Sequence, residues 1–116
     1  MWLFDGKTLS SPLGQNWVAK SGPYGKGKLP NGLYTIGSCF EVRPPNYQNG
    51  AYKGMDNFAW FCRLEPQFET DRTGLGIHPD GNKPGTKGCV GILNTETRGL
   101  FQQLMNNRGE KLKVSQ

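Results

Sequence analysis

The sequence predicts one mainly β domain with a single short helix near its C-terminus. Three observations point there. The chain has 116 residues, enough for one domain and one modest core. It carries 17 Gly and 8 Pro while hydrophobic residues make up only 34%, which fits many short elements joined by tight turns and does not fit a helical bundle. Alternating, β-branched and aromatic runs recur between the turn signals, whereas apolar residues at helical spacing occur once. Three Trp, four Tyr and six Phe supply much of the apolar area a small β core needs.

In chain order, Met1 to Leu9 alternates loosely around Asp5-Gly6-Lys7, which predicts a strand, a tight turn and a return strand. Gln15 to Lys20 is a further short strand, and Ser21 to Gly32 a Gly- and Pro-rich loop. Leu33-Tyr34-Thr35-Ile36 is β-branched and aromatic, a strand ending before Gly37. Phe40-Glu41-Val42-Arg43 alternates until Pro44-Pro45 stops it, and Tyr47 to Asn57 is turn-rich. Phe58 to Pro66 is the longest apolar run and predicts a strand with a buried face. Leu75-Gly76-Ile77-His78 is a short strand ending at the histidine, and Cys89 to Leu93 begins another. Leu100, Phe101, Leu104 and Met105 then share one helical face, with Thr95 or Thr97 able to cap the start and Asn106-Asn107-Arg108-Gly109 as the stop. Lys111 to Ser115 alternates as a closing strand. Residues 1–116 therefore form one domain, with no repeat, linker or low-complexity segment.

The formal net charge is +5 and the pI about 9.3, which favours an anionic partner such as nucleic acid, an anionic membrane face or a carboxylate-rich polymer. The basic residues are scattered rather than gathered into a track, so the charge serves solubility first. Three cysteines leave at least one unpaired within the chain. Cys39 and Cys62 sit in apolar surroundings and read as small buried hydrophobes, with a disulfide between them open. The start, Met1-Trp2-Leu3-Phe4-Asp5-Gly6-Lys7, lacks the basic head and apolar run of a secretory signal, and no stretch approaches the ~20 apolar residues of a membrane span. The chain is expected to be soluble as made and to need another route to any target outside the cytoplasm.

One stretch carries chemistry. His78 is the only histidine, and Cys89 stands eleven positions later between glycines. A neutral imidazole and a thiol are a base and a nucleophile that work together near neutral pH. The loop between them is rich in Gly, Pro, Asn and Asp and so can fold back to bring its ends together. Lys87 adds positive charge two residues before Cys89, and Gly88 and Gly91 permit backbone angles that let N–H groups near Cys89 converge on an oxyanion. A thiolate–imidazolium pair is the expected resting state, with fast alkylation of Cys89. Asp80 either orients His78 or closes an Asx turn on its own loop. A metal site is disfavoured for want of a second strong N or S ligand, and Gly85-Thr86-Lys87-Gly88 has neither the spacing nor the order of a phosphate loop.

The pattern His78…Thr86-Lys87-Gly88-Cys89-Val90 resembles the active-site motif of YkuD-type L,D-transpeptidases: a His, a short loop, then Ser/Thr-x-Gly-Cys and an aliphatic residue. A second stretch, Gly22-Pro23-Tyr24 through Pro30-Asn31-Gly32-Leu33-Tyr34-Thr35-Ile36-Gly37, resembles that family's Gly-Pro…Pro-x-Gly-x-Tyr-x-Ile segment with an insertion, and the two stand in the family's order. The resemblance is strongest to its small branch, which includes type VI secretion effectors. It implies a β-sandwich or barrel-like fold, Cys89 as nucleophile, His78 as general base, and backbone N–H groups of Gly88 and Cys89 in the oxyanion hole within the Thr86–Cys89 loop. It implies no metal or cofactor. The implied substrates are peptidoglycan stem peptides, cut beyond the L-centre of diaminopimelate with release of D-Ala, and the acyl group passes to an amine or to water. Lys87 stands where larger members carry His, and Val90, Gly91 and Ile92 stand where many carry Arg or Asn to hold a substrate carboxylate. Lys87, Arg72, Arg63, Asp80 and Asn82 are the candidate substrate contacts. An antibacterial effector or phage-type protein acting in the periplasm or cell wall, with an immunity or inhibitor protein as a partner, is consistent with the missing signal. Two other readings stand beside it. One is a non-catalytic wall-binding or partner-binding module on the same fold. The other is a small basic nucleic-acid binder using Tyr24, Lys26, Lys28 and Tyr34, which is not expected because the charge is scattered.

Overall fold

The computed structural model describes residues 1–25, 27–45, 49–54, 57–80, 86 and 88–116. Among them the strands are β1 (Trp2–Phe4), β2 (Thr8–Ser10), β3 (Asn16–Lys20), β4 (Gly32–Glu41), β5 (Trp60–Pro66), β6 (Gly76–Pro79), β7 (Val90–Ile92) and β8 (Lys111–Val114). A one-turn helix, α1 (Asn49–Tyr52), precedes β5, and the longer α2 (Arg98–Asn106) precedes β8. The strands close into a barrel in the order β1-β2-β3-β7-β6-β5-β4-β8. Two of the contacts are parallel, β1 with β8 and β6 with β7, and the others are antiparallel.

The hairpin at the start forms because Asp5 satisfies the turn. Its carboxylate accepts the backbone N–H groups of Lys7 at 2.9 Å and Thr8 at 2.7 Å, and these bonds hold its pKa below the usual carboxylate value. The barrel interior takes the alternate side chains of each strand, including Trp2, Phe4, Tyr34, Trp60, Ile77 and Leu112. α2 closes one side by burying Leu100, Phe101 and Leu104, each worth about 1.5–3 kcal/mol relative to exposure. Met105, expected on that face, is instead 45% exposed. Thr97 does occupy the N-cap position, but its side chain makes no cap bond; its Oγ1 accepts the buried Trp60 indole N–H at 2.9 Å. Glu96 takes over the capping, its Oε1 accepting the Arg98 N–H at 2.7 Å.

Two expectations change in β4. Gly37 does not end a strand; one ten-residue strand runs through it. The register against β5 shifts between Ile36 and Cys39, where β4 holds one extra residue. That bulge reverses which side chains face inward. Tyr34 and Ile36 point into the core before it, and Cys39 packs against the core after it. Cys39 then pairs directly with Cys62 at a Cα separation of 4.0 Å, and the two form a disulfide across β4 and β5. Phe40 is thereby turned to the outer face, beside Phe61. The turn-rich segment before β5 contains α1, which packs on β6 over that same outer face.

Candidate active site

β6 and β7 place the two reactive residues. They run parallel, with Ile77 opposite Val90 and His78 opposite Gly91. Ile77, Val90 and Ile92 all face the barrel core. His78 lies on β6 and Cys89 immediately before β7; continuing the strand alternation puts both on the outer face of this strand pair, offset diagonally. The outer face is covered by a second, smaller cluster of Val42, Ala59 and Phe61, against which Tyr52 and Cys89 pack. The His78 ring lies 4.4 Å from that of Tyr52 and stacks at 5.9 Å on that of Phe61.

Burial decides the protonation states. His78 is 5% exposed, and its pKa falls from 6.5 to about 4 because burial disfavours the imidazolium, with a smaller opposing effect from the Pro79 carbonyl. His78 Nδ1 lies 2.7 Å from that carbonyl oxygen, so the proton of the neutral ring is assigned to Nδ1 and the lone pair to Nε2. Burial also pushes the Cys89 thiol up to about 11, against the lowering effects of the Gly76 backbone and the Arg72 charge. The resting pair is thus neutral thiol and neutral imidazole, which corrects the expected ion pair. Among the described residues no hydrogen bond joins His78 to Cys89; the thiol Sγ donates to the Gly74 carbonyl at 3.5 Å.

Thr86 ties the two motif-bearing stretches together. Its Oγ1 donates to the Cys89 carbonyl at 2.6 Å and accepts the N–H groups of Gly22 and Gly88, each at 3.2 Å. Its backbone N–H donates to the Gly22 carbonyl at 2.9 Å, and its carbonyl accepts the Tyr24 N–H at 3.0 Å. The Gly22-Pro23-Tyr24 segment and the cysteine loop are therefore one hydrogen-bonded unit. The Gly88 N–H is already engaged with Thr86, so an oxyanion would compete with that hydroxyl for it.

Arg72, in the connection from β5 to β6, reaches the backbone just before Cys89. A Cβ at Gly88 would overlap the Arg72 guanidinium, and Gly88 has φ +122°, so both space and backbone require glycine there. Asp80 does not serve His78 Nδ1, whose bond goes to the Pro79 carbonyl; its side chain lies against Gly91, where an added Cβ would meet Asp80 Oδ2 at 3.3 Å. Arg63 sits opposite Gly76 in the sheet with its guanidinium 5.7 Å from the Phe40 ring. Lys87, Asn82 and Lys26 lie outside the described residues. Tyr34, a candidate stacking platform for nucleic acid, is buried and donates its hydroxyl to the Pro30 carbonyl at 2.6 Å, so it offers no face to a base. Among the described residues no three His, Cys, Asp or Glu side chains gather as a metal ligand set. Sequence reasoning did not single out Tyr52 and Phe61; only the fold brings them onto His78.

No family model matches the chain, and no curated protein matches it in sequence. Its fold does match a solved structure, that of Mycobacterium tuberculosis L,D-transpeptidase 1, with a TM-score of 0.65 and 14% identity over 99% of this chain. The chain spans 58% of the length of that structure. At this level of identity the likeness establishes the fold, a mainly β L,D-transpeptidase-type barrel.

Proposed function

We propose that this domain is a cysteine-dependent acyl-transfer enzyme acting on peptidoglycan stem peptides, as an L,D-transpeptidase or L,D-carboxypeptidase. The observation that carries the reading is the placement of His78 and Cys89 on one face of the parallel β6–β7 pair, in a barrel of L,D-transpeptidase type. In the proposed reaction Cys89 Sγ attacks the carbonyl preceding D-Ala as its proton passes to His78 Nε2. The tetrahedral intermediate collapses, the C–N bond breaks, and the D-Ala amine takes the proton back from His78. An amine or water then attacks the thioester, again giving its proton to His78, and the thiol is restored. Because both groups are neutral at rest, the proton moves during attack and not before it. The Cys89 N–H and, in exchange for its Thr86 bond, the Gly88 N–H are the proposed oxyanion donors.

The Cys39–Cys62 bond suits a protein that works in an oxidising compartment, which fits action in the periplasm or cell wall. No helix among the described residues is long and apolar enough to cross a membrane. The reading is tested by incubating the protein with disaccharide tetrapeptide and following mass. Loss of D-Ala that stops in Cys89→Ala supports it; no loss, or loss that persists in the variant, overturns it.

One observation favours a second reading, a non-catalytic wall-binding module: thiol and imidazole are not bonded to one another and both are held neutral. That reading predicts wall binding unchanged in both Cys89→Ala and His78→Ala, with no change in the tetrapeptide's mass.

A further inference from the structure

We propose that the cavity beside Trp2 is a saccharide-binding site, sized for one pyranose ring and suited to an N-acetylhexosamine. The pyranose class rests on the cavity alone. The choice of an N-acetylated sugar rests on the proposed wall substrate, whose glycan is built from such units.

The cavity measures about 260 Å³ and lies between β1, the turn joining β2 to β3, and the C-terminal end of α2. Trp2 lines it and is fully buried. The Trp2 indole Nε1 is the one buried side-chain nitrogen or oxygen among the described residues without a hydrogen-bond partner. Folded proteins rarely bury a donor unpaired, because it forfeits its bond to water and gains none in return. The ring is also held in place, stacked on Trp17 with centroids 6.0 Å apart and planes 21° apart. At about 30 Å³ per water the cavity has room for several waters, and it falls just short of the roughly 300–1,000 Å³ of sites for drug-sized ligands. One sugar ring fits between those limits.

The lining sets the class. Pro12 and Leu13 form an apolar rim, and Leu13 is 91% exposed, more than any other large apolar side chain described. Gln103 and Glu110 add an amide and a carboxylate, and among the described residues neither side chain makes a hydrogen bond or ion pair. Although the chain carries a net charge of +5, no Lys or Arg lines the cavity, and Glu110 repels an anion. An ammonium ligand would satisfy Glu110 but leave the indole N–H unpaired. A pyranose meets every group: its C–H face covers the rim, its hydroxyls donate to Glu110 and exchange bonds with the Gln103 amide, and an acetamido carbonyl accepts from the indole. β1 lies four strands from β6 in either direction around the barrel, and no lining residue belongs to the His78–Cys89 site. Sugar held here is therefore separate from the group that reacts at Cys89.

The test follows the indole N–H resonances of the three tryptophans in the isotope-labelled full chain during titration with N-acetylglucosamine. The Trp2 resonance should move saturably with a Kd of about 1 mM, while that of Trp60, already bonded to Thr97, stays in place. Gln103→Ala should weaken binding about fivefold, as should glucose, which lacks the acetamido acceptor. Cys89→Ala should bind as the unaltered protein does. Should Gln103→Ala fail to fold, Glu110→Ala at its exposed position reads the loss of a contact instead. A Trp2 resonance unmoved well above that concentration would mean a cavity that holds water only and would overturn the proposal. Equal binding of cyclohexanol, or of the sugar by the folded cavity variant, would overturn it too, and equal binding of glucose would overturn the N-acetyl assignment. Release of D-Ala from disaccharide tetrapeptide is followed in parallel. Sugar binding without release leaves this site standing and sinks the Cys89 reading; release without sugar binding does the reverse.

Discussion

Acid should destabilise this protein through one side chain. His78 is the sole histidine, and its pKa falls from 6.5 to about 4 because burial beneath Tyr52 and Phe61 disfavours the charged ring. A depressed native pKa means that the unfolded state binds the proton more tightly. The stabilisation is therefore fully present above pH 6.5 and is lost as pH falls through the native value near 4. At about 1.4 kcal/mol per pKa unit, the loss between pH 7 and pH 4 is about 3 kcal/mol. That is a large share of the roughly 5–15 kcal/mol of a typical domain. Carboxylates titrate over the same range, so the comparison must be with a variant lacking only the imidazole. His78→Phe keeps a ring between Tyr52 and Phe61 and cannot take a proton. Urea unfolding at pH 7 and pH 4 should show the native protein losing about 3 kcal/mol relative to His78→Phe. The lone Cε1–H resonance should in parallel stay unshifted down to about pH 5. A midpoint near 6.5, or a stability difference independent of pH, would refute the reasoning.

Three further outcomes follow from the site. Iodoacetamide should alkylate Cys89 slowly at neutral pH and about tenfold faster per pH unit towards 10, because burial raises the thiol pKa to about 11; a rate plateau between pH 5 and 7 would contradict a neutral resting thiol. Thr86→Val removes an O–H donor to the Cys89 carbonyl and the acceptor of two N–H groups, and should cost about 2–3 kcal/mol by thermal or urea unfolding, while Thr86→Ser restores most of it. Replacing Cys39 and Cys62 with alanine releases a closure spanning 23 positions and should cost about 3 kcal/mol; a cost near zero would mean the bond does not form.

Most strands were legible because alternation and turn residues are local signals. Asp5-Gly6-Lys7 announces its hairpin, and the Leu100, Phe101, Leu104 spacing announces α2. The reactive pair was legible as chemistry, and the matching of Gly22-Pro23-Tyr24 with the cysteine loop has a direct cause in Thr86, which bonds to both. What failed is non-local. The bulge in β4 depends on pairing with β5, so Gly37 looked like a stop although it lies inside a strand. The same register brings Cys39 opposite Cys62, a pairing that sequence left open. The expected ion pair failed because burial of His78 comes from side chains on β5 and α1, and no local pattern around His78 reports it. Arg72 was a candidate by charge alone; its position over Gly88 is a product of the closed barrel.

The most direct test of the central claim is the intact mass of the protein shortly after mixing with a peptidoglycan tetrapeptide. The account predicts a covalent adduct of the stem tripeptide acyl group on Cys89, formed with release of D-Ala, sharply slowed in His78→Ala and absent in Cys89→Ala. A tetrapeptide converted without any adduct at Cys89, or left intact while Cys89 stays free, would contradict it.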